Sequence, residues 1–252
     1  MNNPLITTHD SIALSGDGIV QITQPAKGHR FTLDSILLAD FCRIKPNDHV
    51  LEPGAGTGII SLLLAKKHPR ASFTAIEVQS DLSILCELNI IDNDLAGGMQ
   101  VLRNDLRRIG KTLPPGSFSV IVANPPYIKE GTGRTSPHAA RQIARHDRAA
   151  SLEAWLNLHR FLKNSGKYYL VFPAARLAEL AALMKRRKLE PKRLRLVHPY
   201  LDKPASLVLL ESVKEGGSGL EVLPPLIVHE PGGGYTKEMR EIYGIEGKPF
   251  RH

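Results

Sequence analysis

The chain has 252 residues, 42% of them hydrophobic and 23% charged, with 33 Lys+Arg against 25 Asp+Glu for a net charge of +8. Those proportions exclude a disordered chain, and no apolar run approaches the roughly 18 residues of a membrane span. The two cysteines, Cys42 and Cys86, lie far apart without CxxC spacing, which excludes a disulfide framework or thiolate zinc site and fits a reducing cytoplasm.

The opening MNNPLITTHD has neither a basic nor an apolar signal region, so no export is expected. Residues 10–24 read as a β-hairpin, SIALSG and IVQITQ, turning through Gly16-Asp17-Gly18. Residues 33–42 carry apolar side chains at 33, 36, 37, 38 and 41, a helical stripe. From residue 48 short apolar runs alternate with amphipathic segments. HVLEPG, ASFTAIE, MQVLRND, FSVIVANPP and KYYLVFP are expected as strands; TGIISLLLAKKH, SDLSILCELNIID, LEAWLNLHRFL and ARLAELAALMKRRK are expected as helices. This alternation predicts parallel βαβ units, an open sheet covered on both faces. LRLVHPY and ASLVLLES are separated only by LDKP, too short for a crossover, so they must pair antiparallel. The tail from residue 216 is rich in Gly and Pro, with a strand-like LIV and a short helix, TKEMREIY, that Thr236 could cap.

Two motifs carry chemistry. VLEPGAGTG (50–58) leaves a strand and opens a helix, and its glycines let backbone press on a ligand. The spacing fits neither GxGxxG nor a Walker loop. Glu77, 19 residues after Gly58, closes the next strand, where a carboxylate can take both hydroxyls of a ribose. Glu52 at the strand tip would suit a ligand ammonium group. The second motif, Asn124-Pro125-Pro126-Tyr127, ends the strand FSVIVA. Consecutive prolines rigidify the backbone and remove two donors, leaving acceptors beside the Asn124 amide and the flat face of Tyr127. Such a holder suits a planar group bearing an NH₂, whose hydrogens two acceptors can grip during attack on an electrophilic methyl.

The glycine loop, Glu52 and Glu77 resemble the S-adenosylmethionine site of class I methyltransferases, and Asn124 to Tyr127 resembles the (N/D)PPY motif of amino-methyltransferases. With FTLDSILLADF (31–41), KPASLVLLE (203–211), LPPLIV (223–228) and the Gly234-Tyr235-Thr236 and Ile242-Tyr243-Gly244 segments, the chain resembles the bacterial tRNA1(Val) adenine-37 N6-methyltransferase family over roughly residues 10–245. The resemblance implies an α/β fold, Rossmann-like, with a seven-stranded, mostly parallel sheet whose last strand is antiparallel, helices on both faces and a short N-terminal hairpin. It implies a single methyltransferase domain: hairpin and helix over 1–47, core sheet over 48–213 and an extension over 214–252. It implies S-adenosylmethionine as cofactor, held by Phe31, Thr32, Glu52, Gly54, Gly56, Gly58, Glu77, Val78, Asp105, Leu106 and Asn124, with Asn124, Pro125, Pro126 and Tyr127 catalytic. Asp105 is open between bonding the adenine amino group and capping a helix.

The expected substrate is adenine in RNA, tRNA foremost. A release-factor glutamine methyltransferase and a non-catalytic RNA-binding module are the alternatives; the former carries a helical domain before the glycine loop, whereas the 47 residues before the first sheet strand here read as a hairpin and one helix, which favours the base-modifying reading. Residues 185–195, KRRKLEPKRLR, hold seven cations against one Glu. They read either as a solvated helix end or, beside a base-amine motif, as a phosphate-contacting patch through Lys185, Arg186, Arg187, Lys188, Lys192 and Arg193. Residues 128–137 read as a mobile lid, with Lys129 and Arg134 reaching RNA phosphates. The ten His show no ligand spacing, so no metal is expected, and no membrane partner either.

Overall fold

A computed structural model describes residues 6–14, 18–28, 30–126 and 152–244. The hairpin pairs β1 (Thr7–Leu14) with β2 (Gly18–Pro25), three residues longer at its start than the apolar pattern suggests. Helix α1 (Leu33–Phe41) leads into β3 (His49–Pro53), α2 (Ile59–Lys67), β4 (Ser72–Glu77), α3 (Ser80–Asp92), β5 (Met99–Arg103) and β6 (Phe118–Ala123). After residue 152 come α4 (Leu152–Leu156), a 3-10 turn, β7 (Leu162–Pro173), α5 (Leu177–Arg186), β8 (Leu189–His198) and β9 (Leu207–Lys214). Two-residue strands β10 (Glu221–Val222) and β11 (Leu226–Ile227) and helix α6 (Lys237–Ile242) complete the described chain. Among the described residues, no helix is long and apolar enough to cross a membrane.

The main sheet runs β10-β8-β9-β7-β6-β3-β4-β5, with β11 also beside β8. Every pairing is parallel except those of β9 with β7 and β8. The expected seven-stranded core with an antiparallel last strand is therefore present, and β10 and β11 add two short strands at its edge. Alternation along the central strands explains the two-sided cover. Val50, Val120, Val122, Tyr169 and Val171 face α1, α2, α3, the hairpin and α6, whereas Leu51, Ile121, Ala123, Tyr168 and Leu170 face α4 and α5.

Other boundaries differ from the sequence reading as well. LEAWLNLHRFL is helical only over Leu152–Leu156 and then tightens into a 3-10 turn. Strand β7 begins five residues early, its first residues 163–166 bulging out of register with β6. Strand β8 also begins five residues early and runs through Pro191, tolerated because a bulge separates Pro191 from Arg193.

The hairpin docks by an uncommon device. Asn89 on α3 and Asn93, the cap that follows it one turn later, bond the outward backbone of β2 as a neighbouring strand would. Thr23 N–H donates to Asn89 Oδ1 (2.7 Å) and Gln21 N–H to Asn93 Oδ1 (2.9 Å), while each amide nitrogen donates back to the same residue's carbonyl (3.0 and 2.7 Å). Four helical residues rise about 6 Å and two strand residues about 6.6 Å, so an i,i+4 Asn pair matches the strand repeat.

Candidate active site

The parallel strands end at one edge of the sheet, and that edge gathers the candidate residues. Glu52 and the glycine loop follow β3, Glu77 and Val78 follow β4, and Asn124 follows β6. Gly54, Gly56 and Gly58 all have positive φ (62°, 58° and 88°). A Cβ on Gly54 would meet the Trp155 ring at 2.5 Å and one on Gly58 would meet Cys86 Sγ at 2.6 Å, whereas one on Gly56 would meet nothing within 4 Å. Gly54 and Gly58 thus let the loop close on α4 and α3, and Gly56 marks its open side.

Glu77 ties this loop across the sheet edge. Its Oε2 accepts Gly56 N–H and its Oε1 accepts Gln79 N–H, both at 2.8 Å. Each carboxylate oxygen can take a second bond, so capacity for two ligand hydroxyls remains. Val78, directly after this buried carboxylate, is 51% exposed, an apolar surface placed to flank a ring. Phe31 is half-buried, its N–H bonded to the Gln24 side chain, and Thr32 precedes α1 as an exposed residue.

Glu52 does not stand as an open partner for an ammonium group. It is 2% exposed, and its Oε2 accepts Ser61 N–H at 2.8 Å. Helix α2 begins after Gly58, which has no side chain to cap the orphan N–H groups, so Glu52 supplies the acceptor from the preceding strand. Burial pushes its carboxyl up to about 7 against the lowering effect of the Ser61 bonds. Asp105 caps no helix: in a local turn it accepts Arg107 N–H and Nε–H at 2.9 Å, and the Arg107 guanidinium holds its carboxyl down at about 2. Leu106 is half-buried against the α4 face.

The sequence reading missed Ser35. This buried side chain on α1 accepts a hydrogen bond from Asn124 Nδ2 at 3.1 Å, leaving Asn124 Oδ1 without a bond to any described residue. Ser35 thereby sets which way the amide points. Pro125 behind it is buried and Pro126 exposed. The available signal was a lone Ser inside the apolar run of FTLDSILLADF. Asn89 was missed too; besides docking β2 it donates to Thr57 O at 3.0 Å, bracing the glycine loop.

Tyr127, Lys129, Arg134 and the expected lid at 128–137 fall outside the described residues. The basic run 185–195 divides. Arg193 is corrected from phosphate contact to core residue: it is 6% exposed, pairs with buried Glu211 (2.5 Å), donates to Phe41 O and lies over the Phe41 ring. A buried guanidinium already spent on a carboxylate cannot reach RNA. Arg187 is half-buried on Asn157 and Leu183 O, and Lys192 donates to Gly217 O. Lys185, Arg186 and Lys188 are exposed, Lys185 pairing with Glu190. All lie where α5 leads into β8, at the sheet edge opposite Asn124. No group of His, Cys, Asp and Glu fit to hold a metal occurs among the described residues.

The methyltransferase small domain family matches residues 30–175, from just before α1 to just past the end of β7. The tRNA1(Val) (adenine(37)-N6)-methyltransferase of Tolumonas auensis is 34% identical over 155 residues, spanning 60% of this chain and 62% of that protein. The protein of the same name from Vibrio campbellii is 26% identical over 220 residues, 86% of this chain and 89% of its own. In fold, the chain is similar to a solved structure described as a predicted O-methyltransferase from Agrobacterium tumefaciens, at a TM-score of 0.67 and 21% identity, covering 84% of this chain and 96% of that one.

Proposed function

Because the chain belongs to the methyltransferase small-domain family, we propose that it is an S-adenosylmethionine-dependent enzyme methylating the N6 amine of an adenine in tRNA. The observation that carries this reading is Asn124: its amide nitrogen is engaged by Ser35, so its oxygen is presented beside a Pro-Pro turn at the sheet edge that also carries the glycine loop. The names of the Tolumonas and Vibrio relatives support the substrate. Cytoplasmic placement and a single domain over 1–252 belong to the same proposal.

The residues fit the cofactor. Glu77 retains acceptor capacity for ribose hydroxyls, Val78 would flank the adenine ring, and Gly56 opens toward the ligand. Asp105, kept ionised by Arg107, is an acceptor for the adenine amino group. When bound, the cofactor supplies a methyl group on a sulfonium. Asn124 Oδ1 and the carbonyl before the prolines accept the two N6 hydrogens of the target base. This holds the nitrogen pyramidal, with its lone pair out of the ring and aimed at the methyl carbon. The cofactor's methyl would pass to N6 with the electron pair of the carbon–sulfur bond left on sulfur, and N6 would lose one proton to water. An acceptor fixed by a buried hydrogen bond needs no reorganisation at that moment.

The test is methyl transfer from labelled cofactor to total tRNA, total rRNA and a peptide release factor side by side. Label in tRNA is expected. Label only in the release factor would move the reading to the glutamine amide.

A further inference from the structure

The C-terminal extension and the β8–β9 turn together hold a row of four aromatic rings that the proposed chemistry does not use. Tyr200 and His229 have centroids 5.2 Å apart at 34°, His229 and Tyr235 are stacked at 5.4 Å and 14°, and Tyr235 and Tyr243 are stacked at 5.2 Å and 11°. His229 and Tyr235 each have a ring on both sides. Tyr243 packs on the core; burial raises its phenol, with Tyr235 and then the charge of Asp34 adding smaller shares. Asp34 is the neighbour of Ser35, which holds Asn124, so the inner end of the row adjoins the candidate active site.

The outer end differs. Tyr200 is 37% exposed, and next to it Leu201 is 76% exposed. Among the described residues, His229 is the only ring against Tyr200, leaving one aromatic face without a ring partner. The turn that carries it is fixed: Lys203 N–H donates to Tyr200 O (3.1 Å), His198 Nδ1 bonds Lys203 O (2.8 Å), and His229 N–H donates to Pro199 O (3.0 Å). A ring held this way has little conformational entropy left to lose on stacking.

Position selects the occupant. The β8–β9 turn leaves the carboxyl end of β8, the same sheet edge as Asn124 at the end of β6. Three strand spacings separate them, about 14 Å, within reach of a short single-stranded segment whose target base sits at Asn124.

We infer that Tyr200 is a stacking platform for an unpaired base flanking the target adenine, continuing the row of rings outward. The inference rests on the RNA reading above and adds the surface that captures the strand. Every base has a π-face, so the platform needs no sequence readout.

The test uses wild type, Tyr200→Ala and Tyr200→Phe with a synthetic RNA stem-loop carrying unpaired adenines, 2-aminopurine replacing the loop bases one at a time. Wild type and Tyr200→Phe are expected to quench the fluorescence at one loop position. Tyr200→Ala is expected to lose that quenching and bind the stem-loop about tenfold more weakly, with cofactor affinity and melting temperature unchanged. Quenching and affinity equal to wild type in Tyr200→Ala, or no RNA binding by wild type, would overturn the platform. Methyl transfer is measured in parallel. Wild-type quenching that needs Tyr200, without any transfer to RNA, would sink the methyltransferase reading and keep the platform. Transfer indifferent to the Ala substitution, with unchanged quenching, would do the reverse.

Discussion

Replacing Asn89 by Leu removes one side chain and strands three backbone groups. Asn89 is fully buried, accepts from Thr23 N–H and donates to the carbonyls of Thr23 and Thr57. Leu has the same branched skeleton with bulkier methyl ends, so no cavity is left, and the loss is one of hydrogen bonding with some overpacking added. A buried donor without a partner costs about 1–3 kcal/mol, and each carbonyl adds a smaller share, for a sum of about 3–5 kcal/mol. At roughly 2–4 °C per kcal/mol for a chain of this size, the melting temperature should fall by about 6–20 °C. Asn89→Asp should be at least as damaging, although it is nearly isosteric, because a carboxylate keeps the Thr23 N–H bond but faces two carbonyls it cannot serve. Cofactor affinity should fall with stability, since Thr57 belongs to the glycine loop. Denaturant unfolding and calorimetry decide the matter. A loss under 1 kcal/mol in both variants would refute the view that this amide anchors the hairpin and braces the loop.

Ser35→Ala should lower kcat by about tenfold, the worth of one hydrogen bond, with cofactor affinity unchanged; unaltered kcat would mean that Asn124 is oriented by something else. Glu77→Ala should weaken cofactor binding by about 1–3 kcal/mol, read by calorimetry. Glu52 has a folded pKa of about 7 against 4.5 in the free residue. Its contribution to stability is therefore whole below pH 4.5 and is lost as pH rises through 7, by about 3 kcal/mol. Glu52→Gln, which keeps an acceptor for Ser61 N–H, should flatten that pH dependence, and unfolding curves at pH 5 and pH 8 will show whether it does. Arg193→Ala should destabilise the protein by about 3 kcal/mol through the broken pair with Glu211, while the folded variant keeps wild-type RNA affinity; a selective loss of RNA binding would restore Arg193 to the phosphate patch.

Much of the core was legible because parallel strands covered on both faces are continuous apolar runs, as in FSVIVA and KYYLVF, and α3 has the bounds its pattern suggests. The beginning of β8 was not. EPKRLR looks polar, yet Arg193 is registered opposite Glu211 on β9, so its charge is met by a residue 18 positions on. A pattern read along one strand contains no cross-strand partner. The same limit hid Glu52, whose partner Ser61 lies beyond the glycine loop, and Asn89, whose partners are 66 and 32 residues away. The candidate motifs stand out in the sequence because each is contiguous; Ser35, which bonds the Asn124 amide, does not, since it is 89 positions distant.

The central claim is that Asn124 holds a base amine for methyl transfer. Its most direct test is to incubate total tRNA with labelled cofactor and wild-type or Asn124→Ala enzyme, digest to nucleosides, and separate them. The account predicts label in N6-methyladenosine for wild type and at least about a hundredfold less for the variant, with cofactor affinity within a few-fold of wild type. Label in another nucleoside, or near-normal N6-methyladenosine from Asn124→Ala, would contradict it.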